Sequence, residues 1–484
     1  MPLRVCFLTA EMTPFAKAGG LSDVSGALVK YLHAAGHDIR LFLPGHGSIK
    51  RSGLEIYPVD FLQDVPLAIG ARSYRYSVQT ARIPDTQIFV YLIDCPALFG
   101  GPAIYTADPN EYRRYLLFTH AALQSCQRMG FAPQVLHCND WHTAIAPLWL
   151  KTIYKWDKLF AHTRSVFTIH NLGYQGIVSP AAATEVLGGA GLELLHQDDL
   201  RAGRINLMRL GLLYADVLTT VSPTYAREIQ TAEYGAGLDD TLRSRSGALI
   251  GILNGVDYTV WDPRNDAHLP RHYGANQLGV KAALKTEFLA RRKLRDGERR
   301  PLIGLITRLA MQKGVDLLQG ALPALLAARD FNLAVLGTGE RAYEEFFTDL
   351  ASRHPDRMLF YRGFSDEVAH WIEAASDMFL MPSRYDPCGL NQMYSLRYGT
   401  VPIVRRTGGL ADSVQHYDAA TGSGTGLVFN DYNVPAVSWA INTALDLYQQ
   451  KGAWRRLVQN GMAQDFSWNR QVQHYLEVYE RLVH

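Results

Sequence analysis

Short apolar runs bounded by glycine, proline or polar turns alternate with amphipathic stretches along this chain. Such alternation is typical of buried parallel strands joined by crossover helices. The first series of predicted strands comprises residues 4–10, 38–43, 134–137, 165–169 and 217–221. A second series follows the polar stretch 265–277 and comprises residues 302–307, 333–336, 358–361, 378–381 and 402–404. The pattern predicts an α/β protein with two doubly wound, Rossmann-like domains facing a cleft.

The restart of the strand pattern divides the chain into two predicted domains. We expect an amino-terminal domain over residues 1–257 and a carboxy-terminal domain over residues 258–465. The last predicted helix, 468–482, is amphipathic, and its pattern leaves open whether the segment 466–484 packs back on the first domain. Ligands of such folds bind at the carboxyl ends of the strands, and so the crevice between the domains is the expected site.

The charge balance argues against two classes of partner. The 484 residues include 48 Lys plus Arg against 46 Asp plus Glu, a formal net charge of +2, with no block of like charge. We therefore expect no binding to nucleic acid or to a membrane surface. The apolar run 5–10 is too short for a signal peptide, no transit peptide is evident, and no stretch of about 18 apolar residues could span a bilayer.

Cysteine usage indicates the compartment. The five cysteines are scattered and form no CxxC pair of the kind that binds zinc or carries out redox chemistry. We expect reduced thiols in a cytoplasmic protein, or in the plastid stroma if the chain comes from a plant.

A paired-glycine turn follows the first predicted strand, in Lys17-Ala18-Gly19-Gly20-Leu21-Ser22-Asp23. Paired glycines permit a close backbone approach and positive φ, and the helix that follows offers free N–H groups to an anion beside Lys17. A tight turn without a ligand is the commoner use of paired glycine and is the alternative. The spacing matches neither the dinucleotide fingerprint nor the P-loop.

Two more glycine turns follow strands of the second series, in Cys388-Gly389-Leu390 and Thr407-Gly408-Gly409. Three such turns spread over two predicted domains favour a shared anionic ligand. Arg308 and Lys313 follow another strand of the series, and a guanidinium with an ammonium suits a departing diphosphate. Two solvated surface cations are the alternative.

Polar residues also end two strands of the first series, in Asn139-Asp140-Trp141-His142 and His170-Asn171. Such side chains can point into a cleft, whereas buried, satisfied histidines are the alternative. We expect no metal, because no standard zinc spacing occurs in the set His137, Asp140, His142 and His170. The Asp386 carboxylate could bind a polyol or stabilise developing positive charge, with an Asp-Pro turn as the alternative.

Taken together, these blocks resemble bacterial glycogen synthases and plant starch synthases. The blocks occur in family order and comprise residues 17–23, 139–142, 170–176, 254–257, 307–309, 312–314, 382–400 and 405–412, with 466–468 in the tail. The resemblance implies the two-domain glycosyltransferase B fold. It also implies transfer of glucose from ADP-glucose to the non-reducing end of an α-1,4-glucan or maltooligosaccharide, with retention of configuration and without a cofactor.

The resemblance also implies residue roles. Catalytic roles fall on Lys17, His170, Arg308, Lys313 and Asp386. Among these, Lys17 would contact the donor's distal phosphate, and Arg308 with Lys313 would hold the diphosphate. The substrate-binding positions that the resemblance implies are Gly19, Gly20, Asp23, Asp140, Asn254, Phe364, Cys388, Gly389, Leu390, Thr407, Gly408 and Gly409. Among them, Phe364 would stack on the nucleotide base, and Asn254 would contact the transferred glucose.

Three features depart from the family pattern. Asp386 stands where the family normally has Glu, and a carboxylate misplaced by about 1 Å can cost roughly 10²-fold in rate. Ser22 replaces the commoner Gly, and the loop 94–110 is shorter than expected. The alternatives are therefore a low-activity or inactive homologue that binds or primes glucan, and a type B glycosyltransferase that uses another nucleotide sugar. For retention we favour front-face attack, because no enzyme nucleophile is evident.

Overall fold

Strands and helices alternate in two series, as the apolar pattern predicts, and the α/β class is confirmed. The computed structural model describes residues 2–49, 54–84, 86–295 and 300–484. The chain forms two compact units, Met1–Ile252 with Trp468–His484, and Leu253–Ser467. Within the described residues, no helix combines the length and apolar character that a membrane crossing requires.

The first unit is built on a large sheet whose described strands are mostly parallel. Its strands are β1 (Arg4–Leu8), β2 (Asp38–Pro44), β3 (Ile56–Pro58), β4 (Val65–Ile69), β5 (Arg72–Arg82), β6 (Phe89–Asp94), β7 (Val135–Asn139), β8 (Arg164–Ile169), β11 (Val217–Thr220) and β12 (Leu249–Gly251). The strand order is β12-β11-β8-β7-β1-β2-β6-β5-β3, and β4 pairs with β5. A separate two-stranded pair joins β9 (Ile177–Val178) and β10 (Ile205–Asn206).

The helices of the first unit include one from the end of the chain. They are α1 (Gly20–Ala34), α2 (Pro96–Phe99), α3 (Tyr112–Met129), α4 (Ala146–Lys151), α5 (Ala183–Leu187), α6 (Gln197–Arg201), α7 (Leu207–Tyr214), α8 (Pro223–Glu228), α9 (Asp239–Ser244) and α18 (Trp468–Val483). The α18 residues Trp468, Val472 and Tyr475 share a core with Val5 of β1 and Leu28 of α1. The apolar face of α18 is thus buried in the first unit.

The second unit has a six-stranded parallel sheet among its described residues. Its strands are β13 (Leu302–Ile306), β14 (Asn332–Gly337), β15 (Met358–Arg362), β16 (Met378–Met381), β17 (Val401–Arg405) and β18 (Leu427–Phe429), in the order β15-β14-β13-β16-β17-β18. The helices are α10 (Leu278–Arg291), α11 (Val315–Ala328), α12 (Arg341–Arg353), α13 (Asp366–Ala375), α14 (Asn391–Tyr398), α15 (Gly408–Ser413), α16 (Val434–Tyr448) and α17 (Lys451–Met462).

Each large sheet has a point where the order of its parallel strands reverses. In the first unit it lies between β1 and β7, and in the second between β13 and β16. Ligands of open α/β sheets bind beyond the carboxyl ends of strands at such points. The residues that follow these four strands are therefore the ones to examine for a site.

The sequence pattern missed the antiparallel part of the first sheet. Strand β5 runs antiparallel to β6 and also pairs with β3 and β4. Its positions alternate between buried and more exposed over much of its length, because its two faces have different surroundings. A search for continuous apolar runs does not detect a strand of this kind.

Candidate active site

Lys17 lies in the loop between β1 and α1, at the reversal point of the first sheet. Its Nζ is 3.0 Å from Oδ1 of Asp23, and about half of the Lys17 side chain is exposed. The hydroxyl of Thr13 donates to the same oxygen of Asp23 at 3.2 Å. The structure thus brings Lys17 and Asp23 together and partly offsets the charge of the lysine.

The paired glycines of this loop leave open space beside the backbone. Gly19 is extended, with φ −156°, and neither Gly19 nor Gly20 has a positive φ. This turn therefore does not use the positive φ that glycine permits. A Cβ added at either glycine would meet no described atom within 4 Å, which leaves room for a ligand. The hydroxyl of Ser22 donates to the Gly19 carbonyl at 2.6 Å, so the serine supports the turn.

A buried carboxylate that the sequence analysis did not single out holds the same turn. The N–H groups of Ala18 and Gly19 each donate to Oε2 of Glu11 at 2.7 Å, and the hydroxyl of Tyr105 donates to Oε1. These two backbone N–H groups are therefore occupied by the protein. The N–H groups that begin α1 remain the candidates for binding an anion. An acidic residue between a strand and a paired-glycine turn is the signal that could have found Glu11.

Asp140 and His170 meet beyond β7 and β8. The Oδ1 atom of Asp140 accepts the backbone N–H of His170 at 2.7 Å and that of Asn171 at 3.4 Å. Asp140 has φ +53°, an uncommon conformation for a residue with a side chain. Burial raises the pKa of the Asp140 carboxyl to about 7, although the two N–H groups oppose this shift. The protonation of Asp140 therefore changes near neutral pH.

The ring of His170 has a defined orientation. The side-chain amide of Asn139 donates to the Leu8 carbonyl at 2.9 Å, so its Oδ1 must accept the His170 Nε2–H, also at 2.9 Å. Nδ1 of His170 is then the acceptor nitrogen of the ring. Burial lowers the pKa of His170 to about 3, which keeps the ring neutral at physiological pH.

Two further histidines of this region, His137 and His142, differ in their hydrogen bonding. His137 bonds the Tyr479 hydroxyl at 2.5 Å and the Thr168 hydroxyl at 2.6 Å, so it is a satisfied core histidine. His142 is buried, its ring lies 4.3 Å from that of Trp141, and its Nδ1 has no partner among the described residues. The described part of the chain contains no group of three or more His, Cys, Asp or Glu that could hold a metal ion.

Lys313 and Asp386 form an ion pair at the reversal point of the second sheet. Lys313 Nζ donates to Oδ2 of Asp386 at 2.8 Å, and the Ser383 hydroxyl donates to the same oxygen at 3.2 Å. The Asp386 side chain is buried, with 3% exposed. Gly314 has φ +74°, and a Cβ there would lie 2.1 Å from the Pro382 carbonyl oxygen, so glycine permits this close approach. The carboxylate is thereby fixed in place, and Lys313 is not a solvated surface cation.

The other predicted positions of the second unit differ in exposure: Arg308 and Phe364 are exposed, and Asn254 is buried. Arg308 is exposed, donates to Gln312 Oε1 at 3.1 Å, and forms no ion pair with a carboxylate within the described ranges. Phe364 follows β15 with 75% of its surface exposed, an accessible position for stacking. Asn254 is buried, and its Oδ1 has no partner among the residues that the structure describes.

The two glycine turns of the second unit pack against one another. Gly408 has φ +43°, and a Cβ there would lie 1.8 Å from the Asp386 carbonyl oxygen, while one at Gly409 would lie 2.2 Å from that of Cys388. The Gly409 N–H donates to the Asp386 carbonyl at 3.3 Å. Thr407 precedes α15, and Gly389 and Leu390 lead into α14. Asp386 therefore depends on this packing for its position.

Replacing Gly408 with alanine is expected to destabilise the second unit by about 2–3 kcal/mol or more, because the backbone must move away from Asp386. The measurement is denaturant unfolding of the purified variant. Gly452→Ala is the matched control, since a Cβ there meets no described atom within 4 Å and the residue lies in α17. Its stability is expected to stay the same or rise by up to about 1 kcal/mol. Equal stability of both variants would contradict the close approach.

A cavity of about 460 Å³ lies in the first unit beside the Lys17 turn. Its lining includes Phe15, Lys17, Ser48, Ile104 and Tyr105. The walls combine apolar side chains with an ammonium and two hydroxyl-bearing residues. Such a mixture suits a polar ligand that also has apolar faces.

Comparison with known proteins identifies relatives over the whole chain. The family model described as the starch synthase catalytic domain matches residues 4–244, and that of glycosyl transferases group 1 matches residues 287–461. Glycogen synthase of Anaeromyxobacter dehalogenans (strain 2CP-1) is 43% identical over 99% of both chains, and that of Thermotoga maritima is 39% identical over 99% of both.

Solved structures agree with these matches. The catalytic domain of starch synthase IV from Arabidopsis thaliana, bound to ADP and acarbose, has a TM-score of 0.92 and 33% identity, with 100% of both chains covered. Sucrose-phosphate synthase from Thermosynechococcus elongatus, with a TM-score of 0.62 and 16% identity over 99% of both chains, shares the fold alone.

The two doubly wound units and these matches define a glycosyltransferase with the type B fold. Within that class, the chain belongs to the family of glycogen synthases and starch synthases.

Proposed function

We propose that this protein transfers glucose from ADP-glucose to the non-reducing end of an α-1,4-glucan, with retention of configuration. The observation that carries the proposal is the set of cations beyond carboxyl strand ends, Lys17, Arg308 and Lys313. Arg308 and Lys313 follow β13, at the position where open α/β sheets bind their ligands. The binding of ADP by the starch synthase IV relative supports this donor. Maltooligosaccharide is the expected short acceptor, and the cytoplasm is the expected compartment.

Cleavage of the anomeric C–O bond builds negative charge on the departing diphosphate. Arg308 and Lys313 would stabilise that charge, and Lys17 would contact the distal phosphate. Interactions that strengthen as charge develops lower the barrier rather than merely tightening substrate binding. The guanidinium of Arg308 is exposed and has no ion-pair partner among the described residues, so no carboxylate of these residues would compete with the diphosphate for it.

Positive charge develops on the sugar at the same time. The Asp386 carboxylate, oriented by Lys313 and Ser383, would accept a glucose hydroxyl and favour the cationic transition state. The ring of His170 is neutral and donates to Asn139, so that its contribution to the sugar would be an acceptor nitrogen. Asn254 would supply its buried Oδ1 as a further acceptor.

Retention is proposed to occur by front-face attack. The leaving phosphate takes the proton of the acceptor hydroxyl while the new glycosidic bond forms on the face that the diphosphate leaves. A double displacement would need an enzyme nucleophile. Burial raises the pKa of the Cys388 thiol far above its usual range and keeps it protonated, and Lys313 holds the Asp386 carboxylate. Neither group is therefore suited to attack.

The test is to supply the purified chain with maltooligosaccharide and either ADP-glucose or UDP-glucose, and to analyse the products by chromatography and NMR. Elongation from ADP-glucose with new α-1,4 linkages is the expected result. Elongation from neither donor would reject the proposal. Elongation from UDP-glucose alone would keep the reaction and change the donor.

An inactive homologue that binds or primes glucan is the second candidate, favoured by Asp386 in place of the family glutamate. The Asp386→Glu variant separates the two candidates in the same assay. A wild type that elongates glucan eliminates the inactive homologue. Activity that appears only in Asp386→Glu would establish it instead, because the longer side chain would restore the reach of the carboxylate.

A further inference from the structure

Three hydrogen-bond donors converge on the buried carboxylate of Glu11, which follows β1 and is 4% exposed. The N–H groups of Ala18 and Gly19 donate to Oε2, both at 2.7 Å, and the Tyr105 hydroxyl donates to Oε1. An ionised carboxylate accepts hydrogen bonds through both oxygens and donates none. The arrangement therefore matches the ionised form of Glu11, and a neutral amide in its place could not accept from all three donors in this geometry.

Tyr105 connects this carboxylate to the cavity in the first unit. Its ring stacks on that of His142, with centroids 5.1 Å apart, and it lines the cavity together with Lys17. Burial, with the neighbouring charge of Glu11, raises the pKa of Tyr105 far above its usual range. The hydroxyl therefore keeps its proton and remains a donor to Glu11.

The bonds to Ala18 and Gly19 act on the backbone next to Lys17. Lys17 directly precedes Ala18, and α1 begins directly after Gly19. Fixing these two N–H groups fixes the start of the Lys17 side chain as well as the end of α1 that could bind an anion. Asp23 then restrains the ammonium itself at 3.0 Å.

We propose that Glu11 is a positioning residue, whose ionised carboxylate holds the Lys17–Gly19 turn so that Lys17 meets the donor's phosphate. The inference rests on the proposed function, since it assumes that Lys17 serves glucosyl transfer. Glu11 acts through the turn and does not itself touch substrate. Hydrogen bonds between a backbone N–H and an ionised carboxylate are among the stronger ones in proteins, and preorganisation of this kind lowers the barrier.

The first test measures the turn without measuring activity. In Glu11→Gln, amide hydrogen exchange of a peptide that contains Ala18 and Gly19 should be at least about tenfold faster than in the wild type. Glu185→Gln is the matched control, because Glu185 also accepts a tyrosine hydroxyl, that of Tyr112 at 2.9 Å. The control should leave exchange at residues 18 and 19 unchanged. Unchanged exchange in Glu11→Gln would overturn the inference.

The second test measures whether Glu11 acts through Lys17. Glu11→Gln should lower kcat by about 10- to 30-fold, no more than the loss of Lys17 itself, while KM for maltooligosaccharide changes little. In a Lys17→Ala background the same change should lower kcat less than about threefold, because Lys17 is no longer there to be positioned. If the fold losses in kcat of the two single variants multiply in the double variant, Glu11 acts independently of Lys17, and the inference is overturned. Glu185→Gln should keep the wild-type kcat.

Tyr105→Phe keeps the inference falsifiable if Glu11→Gln fails to fold. It retains the ring against His142 and removes only the hydroxyl donor. In Tyr105→Phe we expect faster amide exchange at residues 18 and 19 and a kcat about 3–10-fold lower than in the wild type. Wild-type exchange together with wild-type kcat would overturn the inference.

A wild type that elongates no glucan would reject the proposed function, and with it the purpose assigned to Glu11. If the wild type elongates glucan, but Glu11→Gln has the wild-type kcat and the wild-type exchange at residues 18 and 19, the inference is rejected and the proposed function stands.

Discussion

The Arg308→Ala variant is expected to lose about 2–4 kcal/mol of transition-state stabilisation, a fall in kcat of about 30- to 10³-fold, as when an oxyanion donor is removed. Arg308 is exposed and has no carboxylate partner within the described ranges, so all of its charge is available to the departing diphosphate. Lys17→Ala is expected to fall at the lower end of the same range, because Asp23 already offsets part of the lysine charge. Steady-state kinetics with saturating ADP-glucose and maltooligosaccharide measure both effects.

Arg353→Ala is the matched control for the loss of an arginine. Arg353 lies in α12, is about half exposed, and pairs with Asp349 within the same helix. Loss of an exposed ion pair of this kind changes the free energy of unfolding little, so the variant should remain folded. The control should therefore keep the kcat of the wild type. Near-wild-type turnover in Arg308→Ala would contradict the role of this residue in stabilising the leaving group.

Lowering the pH from 7 to 5 is expected to cost the first unit several kcal/mol of its free energy of unfolding. Burial lowers the pKa of five largely buried histidines in this unit, His46, His120, His137, His142 and His170. Below about pH 6.5 the unfolded chain takes up protons at these positions and the folded chain does not. Each histidine then contributes a loss of about 1.4 kcal/mol per pH unit, until its own folded pKa is reached.

One buried carboxyl in this unit acts in the opposite direction. The pKa of Asp140 is raised to about 7, so between about pH 7 and 4 the folded state binds a proton that the unfolded state releases. Acidification through this window therefore stabilises the fold by about 1.4 kcal/mol per pH unit. Five histidines against one aspartate leave a net loss of stability on acidification.

Denaturant unfolding at pH 7, 6 and 5, followed by circular dichroism, measures this dependence. His120→Leu should reduce the slope by about 1.4 kcal/mol per pH unit, because it removes one of the five groups. His474→Gln is the control, since its side chain lies in α18 and is 52% exposed. A free energy of unfolding that stays constant from pH 7 to 5 would contradict the prediction.

The candidate site was only partly visible from local patterns. Lys17, Asp140, His170, Arg308 and Asp386 could be proposed because each follows a predicted strand, next to a glycine turn or another polar residue. Glu11 was missed because one of its hydrogen-bond partners, Tyr105, lies 94 positions further along the chain. The pairing of Lys313 with Asp386 spans 73 positions and depends on how two strand ends pack.

The sequence by itself determined the α/β class, most of the parallel strands in both series, the glycine turns and the family, because these depend on short-range periodicity and on contiguous blocks of residues. The tertiary structure decided which partners meet. It buried the apolar face of α18 in the first unit, required glycine at Gly408 by a close approach to Asp386, and left Gly19 and Gly20 beside open space. Such outcomes depend on contacts between distant segments, and those contacts form only when the sheets assemble.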